Sequence, residues 1–252
     1  MKFKVVIPAR LDSTRLPRKV LRDIQGRPMV QWVWEAARGS GAEEVVVATD
    51  SVEVQEACAA FGATVAMSSP RHASGTDRIN EVAQAGNWPA DTIVVNLQGD
   101  EPLMPPALVR QAAQLLAEDP AADIGTLAHP IADQREWLNP NVVKVVTDSA
   151  GHALYFSRAP IPWQRDGSTT ARPKMPAGRA FRHLGIYAYR VTALARFSAL
   201  PPAELEQLEA LEQLRALANG MVIRVGIAQA PPPGGVDTED DLRAVAQLLA
   251  GR

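Results

Sequence analysis

The chain has one cysteine, four histidines and 5% aromatic residues among its 252, and it has no long apolar run. The lone Cys58 excludes an intramolecular disulfide and a cysteine-based zinc site. It fits a reducing compartment, and the cytoplasm is the expected location. His72, His129, His152 and His183 are scattered without ligand spacing, so no histidine zinc motif is present. No stretch approaches the length of a membrane span. The opening MKFKVVIPAR has too few apolar residues before Pro8 and Arg10 for a secretory signal. An excess of one charge is missing too. Twenty-six basic residues against 28 acidic ones leave a net charge of −2, so no global field draws nucleic acid or membrane. No internal repeat is visible.

What is there is 46% apolar residues, enough for a full core, in a pattern that alternates strand and helix. Strands are expected near 5–7, 44–48, 63–67 and 92–97, with helices near 27–38, 52–61, 75–84 and 105–118. This is a doubly wound βα pattern. After Asp123 the character changes. Residues 124–131, 142–147, 153–157 and 184–190 read as strands without a long helix after each, which predicts a mixed or antiparallel section. Between them, 161–179 is rich in Pro, Gly, Arg and Thr and reads as a loop or lid. A single amphipathic helix is expected over 205–217, a strand over 222–228, a stiff Pro-Gly turn at 231–235 and a last helix over 238–249.

Five constellations could carry chemistry. The first follows the first strand: Arg10, Arg15, Arg18, Lys19 and Arg22 stand against only Asp12, and Pro17 forbids a regular helix through them. The loop matches neither the P-loop nor the G-x-G-x-x-G pattern. It reads as a solvated basic loop or, from its place at the carboxyl end of a first strand, as side chains for a polyphosphate. The second is Gln98-Gly-Asp100-Glu-Pro, where Asp100 either caps a turn or offers a hard oxygen to Mg²⁺. The third is Gly235-Val-Asp237-Thr-Glu-Asp-Asp241, either a helix start or a second carboxylate for the same ion. The fourth is Ser74-Gly75-Thr76, a helix cap whose N–H groups could hold a polar ligand edge. The fifth joins Arg158, His183 and Tyr187, beside apolar strands, to Glu206, Glu209, Glu212 and Gln213 on one expected helix side. Arg near a sheet needs a partner, and a substrate carboxylate is a good one. The acidic row reads as a solvated face or as acceptors for sugar hydroxyls.

With these pieces in order, the chain resembles the 3-deoxy-manno-octulosonate cytidylyltransferase (CMP-Kdo synthetase) family. The resemblance covers nearly the whole chain through IPARLDSTRLPRK, GRPM, VVVATD, SGTDR, NLQGDEP, NPNVVKVV, ALYFSRAPIPW, RHLGIYAYR, LEALEQLR and GVDTEDDL. It implies a Rossmann-like nucleotide-diphospho-sugar transferase fold: a mixed central α/β sheet, helices on both faces and a small antiparallel extension. It implies one domain over 1–252, with 1–120 mainly nucleotide-binding, 121–230 mainly for the sugar acid and dimerisation, and 231–252 returning a metal-ligand turn and helix. The implied reaction is CTP plus Kdo to CMP-Kdo and pyrophosphate, for lipopolysaccharide assembly, in a homodimer. The implied cofactor is Mg²⁺, two ions per site, one brought by CTP.

Residue by residue, the resemblance gives Arg10, Arg15 and Lys19 to the triphosphate and Ser74, Gly75 and Gln98 to cytidine. It gives Asp100 and Asp237 to the metal, and with Arg15 and Lys19 to catalysis. Arg158, His183, Tyr187, Glu212 and Gln213 fall in the sugar-acid pocket. The family commonly has Gly and Pro where this chain has Arg18 and Val20, and 166–178 is divergent. Other readings are a cytidylyltransferase for another acid sugar, a glycosyltransferase, or a non-catalytic nucleotide module. A glycosyltransferase would show Asp-x-Asp after the 92–97 strand, where this chain has Gln98-Gly-Asp100. The paired Asp100 and Asp237 speak against the non-catalytic module.

Overall fold

Val5 and Ile7 lie on one face of the first strand and Val6 on the other, and all three are fully buried, so this strand must be covered on both sides. The computed structural model describes residues 1–250 except 14, 73, 167, 170, 172 and 231–233. The first strand is β1 (Lys4–Pro8), followed by a 3₁₀ turn at Lys19–Leu21 and the small hairpin β2 (Asp23–Ile24) and β3 (Arg27–Pro28). Alternation follows: α1 (Met29–Gly39), β4 (Glu44–Thr49), α2 (Val52–Ala60), β5 (Thr64–Met67), α3 (Gly75–Ala85), β6 (Ile93–Asn96) and α4 (Pro106–Glu118). The second half runs β7 (Ile124–Pro130), α5 (Gln134–Leu138), β8 (Lys144–Thr147), β9 (Ala153–Ser157), β10 (Phe181–Arg190) and α6 (Val191–Ser198). It ends with α7 (Glu204–Glu209), α8 (Gln213–Ala218), β11 (Ile223–Ile227) and α9 (Glu239–Ala250).

The main sheet has the order β11-β7-β10-β6-β1-β4-β5. β6, β1, β4 and β5 are parallel neighbours. β10 runs antiparallel to both β6 and β7, and β8 with β9 forms the antiparallel extension on β10. This is the expected mixed α/β sheet. On one face, Val5, Ile7, Val47 and Val95 pack against Val33 of α1, Cys58 of α2 and Leu108 of α4. On the other, Val6, Val46 and Val94 meet Ile79 of α3, Phe197 of α6 and Leu214 of α8. Burial pushes the Cys58 thiol up to about 11, which suits an inert core residue. Among the described residues no helix is long and apolar enough to cross a membrane.

A third cluster positions the site. Leu16 of the basic loop, Ile24 and Met29 pack with Val236, Leu242, Val245 and Leu249 of the C-terminal segment. The last helix therefore lies against the loop that follows the first strand, although more than 200 residues separate them. A fourth cluster, built on Ile131, Trp137 and Ala180, takes in Met175. Trp137 also donates to the Ile161 carbonyl at 3.2 Å and stacks on Trp163, so the described residues of 161–179 form an irregular stretch tied down at Trp137. The stiff turn expected at 231–235 falls largely on 231–233, outside the described residues.

The expected single helix over 205–217 is two. It stops at Glu209, Ala210 takes a left-handed φ of 50°, and α8 restarts at Gln213. Arg158 holds the break. Its Nε donates to the Glu209 carbonyl at 2.6 Å and its NH2 to the Ala210 carbonyl at 3.4 Å. A continuous helix would give those carbonyls to N–H groups four residues on. The shared acidic side therefore does not exist. Glu206 pairs with Arg215, Glu209 accepts from Ser157 and the Arg158 N–H, and Glu212 lies in the break. Leu205 and Leu208 are exposed while Leu211 and Leu214 are buried, so the leucine stripe is broken as well. Helices α5 and α6 fall outside the expected elements, and β10 starts three residues before the expected 184.

Candidate active site

β1, β4 and β6 run parallel, so their carboxyl ends open at one edge of the sheet, where such folds place ligands. The basic loop leaves β1 there. Val20 is buried and anchors it, while Arg15 stays exposed. The turn after β6 passes so close that a Cβ on Gly99 would stand 2.8 Å from the Pro8 carbonyl oxygen, so glycine is required at this point. Ser74 caps α3, its hydroxyl accepting from the Asp77 N–H at 3.2 Å. Together these turns enclose a cleft of about 380 Å³ lined by Arg10, Arg15, Lys19, Ser74, Gly75, Gln98 and Asp100. All six residues expected to hold the nucleotide line it.

Asp100 and Asp237 meet at the cleft's end, 137 residues apart in sequence. Lys19 Nζ donates to Asp100 Oδ2 at 2.6 Å and to Asp237 Oδ1 at 3.1 Å, and Arg15 NH2 reaches the same Asp237 oxygen at 2.9 Å. Burial disfavours the Lys19 ammonium, but the carboxylates of Asp100 and then Asp237 outweigh it and hold its pKa above the ordinary lysine value. The Asp237 turn is fixed by the Val236 N–H donating to the Asp100 carbonyl at 2.9 Å. Thr238 and Asp241 form the expected reciprocal cap of α9, with Asp241 Oδ2 accepting the Thr238 N–H at 2.8 Å. Arg18, by contrast, turns outward to Glu53, and Arg22 to Glu239.

A second cavity of about 280 Å³ begins at the next residue. Glu101, Asn141, Arg182, His183, Gly185 and Gly235 line it. His183 sits at a bulge in β10, where the register shifts between Leu184 and Tyr187. Thr126 is fully buried and its hydroxyl donates to the bulge carbonyl of Ile186 at 2.7 Å. Its single proton is thereby committed, so the 2.9 Å contact with His183 Nε2 has the histidine donating. Burial pushes His183 down to about 3, so the ring is neutral and its free acceptor is Nδ1. The Tyr187 ring lies tilted beside it with centroids 5.2 Å apart, and burial raises its pKa.

Of the five expected sugar-acid residues, His183 alone lines this cavity. Tyr187 joins it through the ring contact and pairs across the sheet with Asn96, whose side chain accepts from Gln98. Glu212 is tied to α3 by Thr76, which donates to it at 2.8 Å. Gln213 is buried at the start of α8. Arg158 spends its guanidinium on main-chain carbonyls, with NH1 reaching Pro140 at 3.1 Å besides the helix break.

Sequence reading passed over four residues here. Glu101 and Arg182 adjoin the singled-out Asp100 and His183, so position alone could have found them. Burial and then the Asp100 charge push the Glu101 carboxyl up to about 8, against the pull of Arg182. Lys144 is fully buried and donates to the carbonyls of Asn139, Val142 and Arg158 at 3.0, 2.6 and 2.6 Å. Thr76 sat inside the Ser-Gly-Thr cap but gave no sign of its distant partner.

A family model described as cytidylyltransferase matches residues 4–223. A protein of Pseudomonas syringae pv. syringae is 54% identical over 250 residues, 99% of this chain and 98% of its own, and is named 3-deoxy-manno-octulosonate cytidylyltransferase. A Vibrio cholerae serotype O1 protein of the same name is 52% identical over all of this chain and 99% of its own. Among solved structures, a CMP:2-keto-3-deoxy-manno-octonic acid synthetase complexed with CTP superposes with a TM-score of 0.89 at 44% identity, over 100% of this chain and 99% of that one. A cytidylyltransferase from Leptospira borgpetersenii shares the fold alone, with a TM-score of 0.63 at 15% identity, covering 100% and 87%. By its sequence over the full length and by its fold, the chain belongs to the 3-deoxy-manno-octulosonate cytidylyltransferase family.

Proposed function

We propose that this chain transfers the cytidylyl group of CTP to 3-deoxy-manno-octulosonate (Kdo), giving CMP-Kdo and pyrophosphate. The observation that carries the reading is the meeting of Asp100, Asp237, Lys19 and Arg15 where a cationic cleft adjoins a second cavity. In this reading residues 1–120 hold CTP, 121–230 hold Kdo and the dimer contact, and 231–252 return Asp237. The anomeric hydroxyl attacks the α-phosphorus in line. A bond from that oxygen to phosphorus forms as the bond to pyrophosphate breaks, and the hydroxyl proton passes to water.

Two carboxylates already converge on one cationic atom, Lys19 Nζ, and such a pair of hard oxygen donors fits Mg²⁺. Asp100 and Asp237 would hold the ion, which when bound neutralises charge at the α-phosphate, with a second ion arriving on the CTP phosphates. Lys19 and Arg15 offset the charge that develops on pyrophosphate. Arg10, oriented by its bond to the His72 carbonyl, faces the triphosphate, and Ser74, Gly75 and Gln98 face the cytidine. His183, Tyr187, Glu212 and Gln213 serve the sugar acid, and Arg158 serves it by holding the α7–α8 break in which Glu212 lies. The buried Cys58 has no part in the chemistry.

We place the enzyme in the cytoplasm as a homodimer; Leu154, Trp163, Leu208 and Ile227 are exposed apolar side chains in the 121–230 half that such an assembly would cover. Light scattering tests the dimer. The activity is tested by coupled pyrophosphate release, crossing CTP, UTP, ATP and GTP with Kdo, an amino-Kdo and a sialic acid. Release with CTP and Kdo above every other pair is expected. Preference for another sugar would overturn the acceptor, and release without any sugar would overturn the transfer.

A further inference from the structure

Thr76 stands in the first turn of α3, directly after Ser74 and Gly75 of the nucleotide cleft, yet it does not line that cleft. Its side chain is 1% exposed. The hydroxyl donates to Glu212 Oε2 at 2.8 Å, joining positions 136 residues apart. A threonine hydroxyl has one proton, and Glu212 takes it, so Thr76 and Glu212 form a directed two-residue chain.

Two features make this chain more than packing. Glu212 lies in the break between α7 and α8, with no regular helix of its own to hold it. Its second oxygen, Oε1, is buried and has no partner among the described residues. A buried carboxylate oxygen without a donor is costly, and native structures rarely keep one unless a ligand or water completes it. Donor groups are what a polyhydroxylated substrate carries. Glu212 also stands close enough to Tyr187 to raise its pKa, after burial and Tyr189, and Tyr187 adjoins His183 of the second cavity.

We propose that Thr76 is a positioning residue for the acceptor sugar: it fixes Glu212 so that Oε1 is offered to a substrate hydroxyl, and it ties the nucleotide-capping turn to the sugar pocket. The proposal rests on the function given above. Its ligand class is a polyol acid, and its means is one hydroxyl.

The test is steady-state kinetics of Thr76→Val, which keeps the shape and removes the hydroxyl, beside Thr76→Ser, Glu212→Ala and the Thr76→Val/Glu212→Ala double variant. Each substrate is titrated with the other saturating, using whichever sugar acid the wild type turns over best. Thr76→Val is expected to raise the sugar KM roughly 10–100-fold while the CTP KM stays within about twofold. Thr76→Ser restores the sugar KM, and the double variant is no worse than Glu212→Ala alone. Equal rises in both KM values, a Ser variant as poor as Val, or effects that add in full would overturn the proposal. If the Val variant does not fold, Thr76→Ala enters the same cycle with the same criteria. A wild type that prefers another sugar acid overturns Kdo as acceptor and leaves the Thr76 test intact. A wild type that uses no sugar acid overturns both.

Discussion

The two cavities that adjoin at residues 100 and 101 treat charge in opposite ways. In the first, ionised groups survive because each faces its opposite: Lys19 between Asp100 and Asp237, Arg15 on Asp237. In the second, Arg182 is paired with Glu136, and burial removes charge from its neighbours. His183 is held neutral, with its pKa pushed to about 3, and the Glu101 carboxyl, pushed up to about 8, is largely protonated at neutral pH. Lys144, beneath the same region, has its pKa lowered by burial and gives its protons to three carbonyls. A polyphosphate is read by fixed charge, which is strong and tolerant of angle. A polyol is read by neutral donors and acceptors, which are weaker singly but demand direction. One chain holds both environments side by side by changing sheet type from parallel to antiparallel between them.

The largest break in this contrast comes from the carboxylates. Asp100→Asn and Asp237→Asn should each lower turnover on the order of 10²–10³-fold with the circular dichroism spectrum unchanged. Near-normal turnover in either variant would show that the two do not act on one centre.

A smaller effect comes from His183. The unfolded chain protonates this ring near its ordinary pKa of 6.5, whereas the folded chain does so only near about 3. Between those values the unfolded state binds the extra proton, so stability falls as pH drops through this window. His183→Gln, followed by thermal unfolding from pH 7 to pH 3, should show a flatter acid limb than the wild type. An equally steep limb would mean the ring is not buried and neutral.

The smallest effect is expected at Arg18. It holds a left-handed φ of 58° and its guanidinium meets exposed Glu53, away from the cleft. Exposed ion pairs contribute about 0.2–1 kcal/mol, so Arg18→Ala should change the CTP KM by no more than about threefold. A loss larger than that of Lys19→Ala would reverse the assignment of the basic loop.

The contrast also explains what could be read from the chain alone. In the first half of the chain the candidate groups sit in the loop after a buried strand or at a helix cap: Arg10 to Lys19 after β1, Asp100 after β6, Ser74 at the cap of α3. Continuous apolar runs and local turn chemistry suffice to place them. In the second half the decisive contacts are remote. No local signal says that Arg158 will take the carbonyls of Glu209 and Ala210, and without that the 205–217 segment reads as one helix. Nor does anything near Thr76 announce Glu212. Spacing along a helix that does not exist put Glu206, Glu209 and Glu212 on one side, whereas each answers to a different partner. Asp237 is the intermediate case. Its cap was legible, but only the packing of Val236 and Leu242 against Leu16 brings it to Asp100.

The most direct measurement is a paired titration of Lys19→Ala and Glu212→Ala, each with CTP varied at saturating Kdo and Kdo varied at saturating CTP. Losing a hydrogen-bond partner of a charged group costs about 1.5–3 kcal/mol, or on the order of 10–100-fold. The account predicts that Lys19→Ala raises the CTP KM by that factor and slows turnover, while Glu212→Ala raises the Kdo KM and leaves that of CTP nearly unchanged. If Glu212→Ala instead weakened CTP and spared Kdo, the division into a charged nucleotide cleft and a separate sugar site would be contradicted.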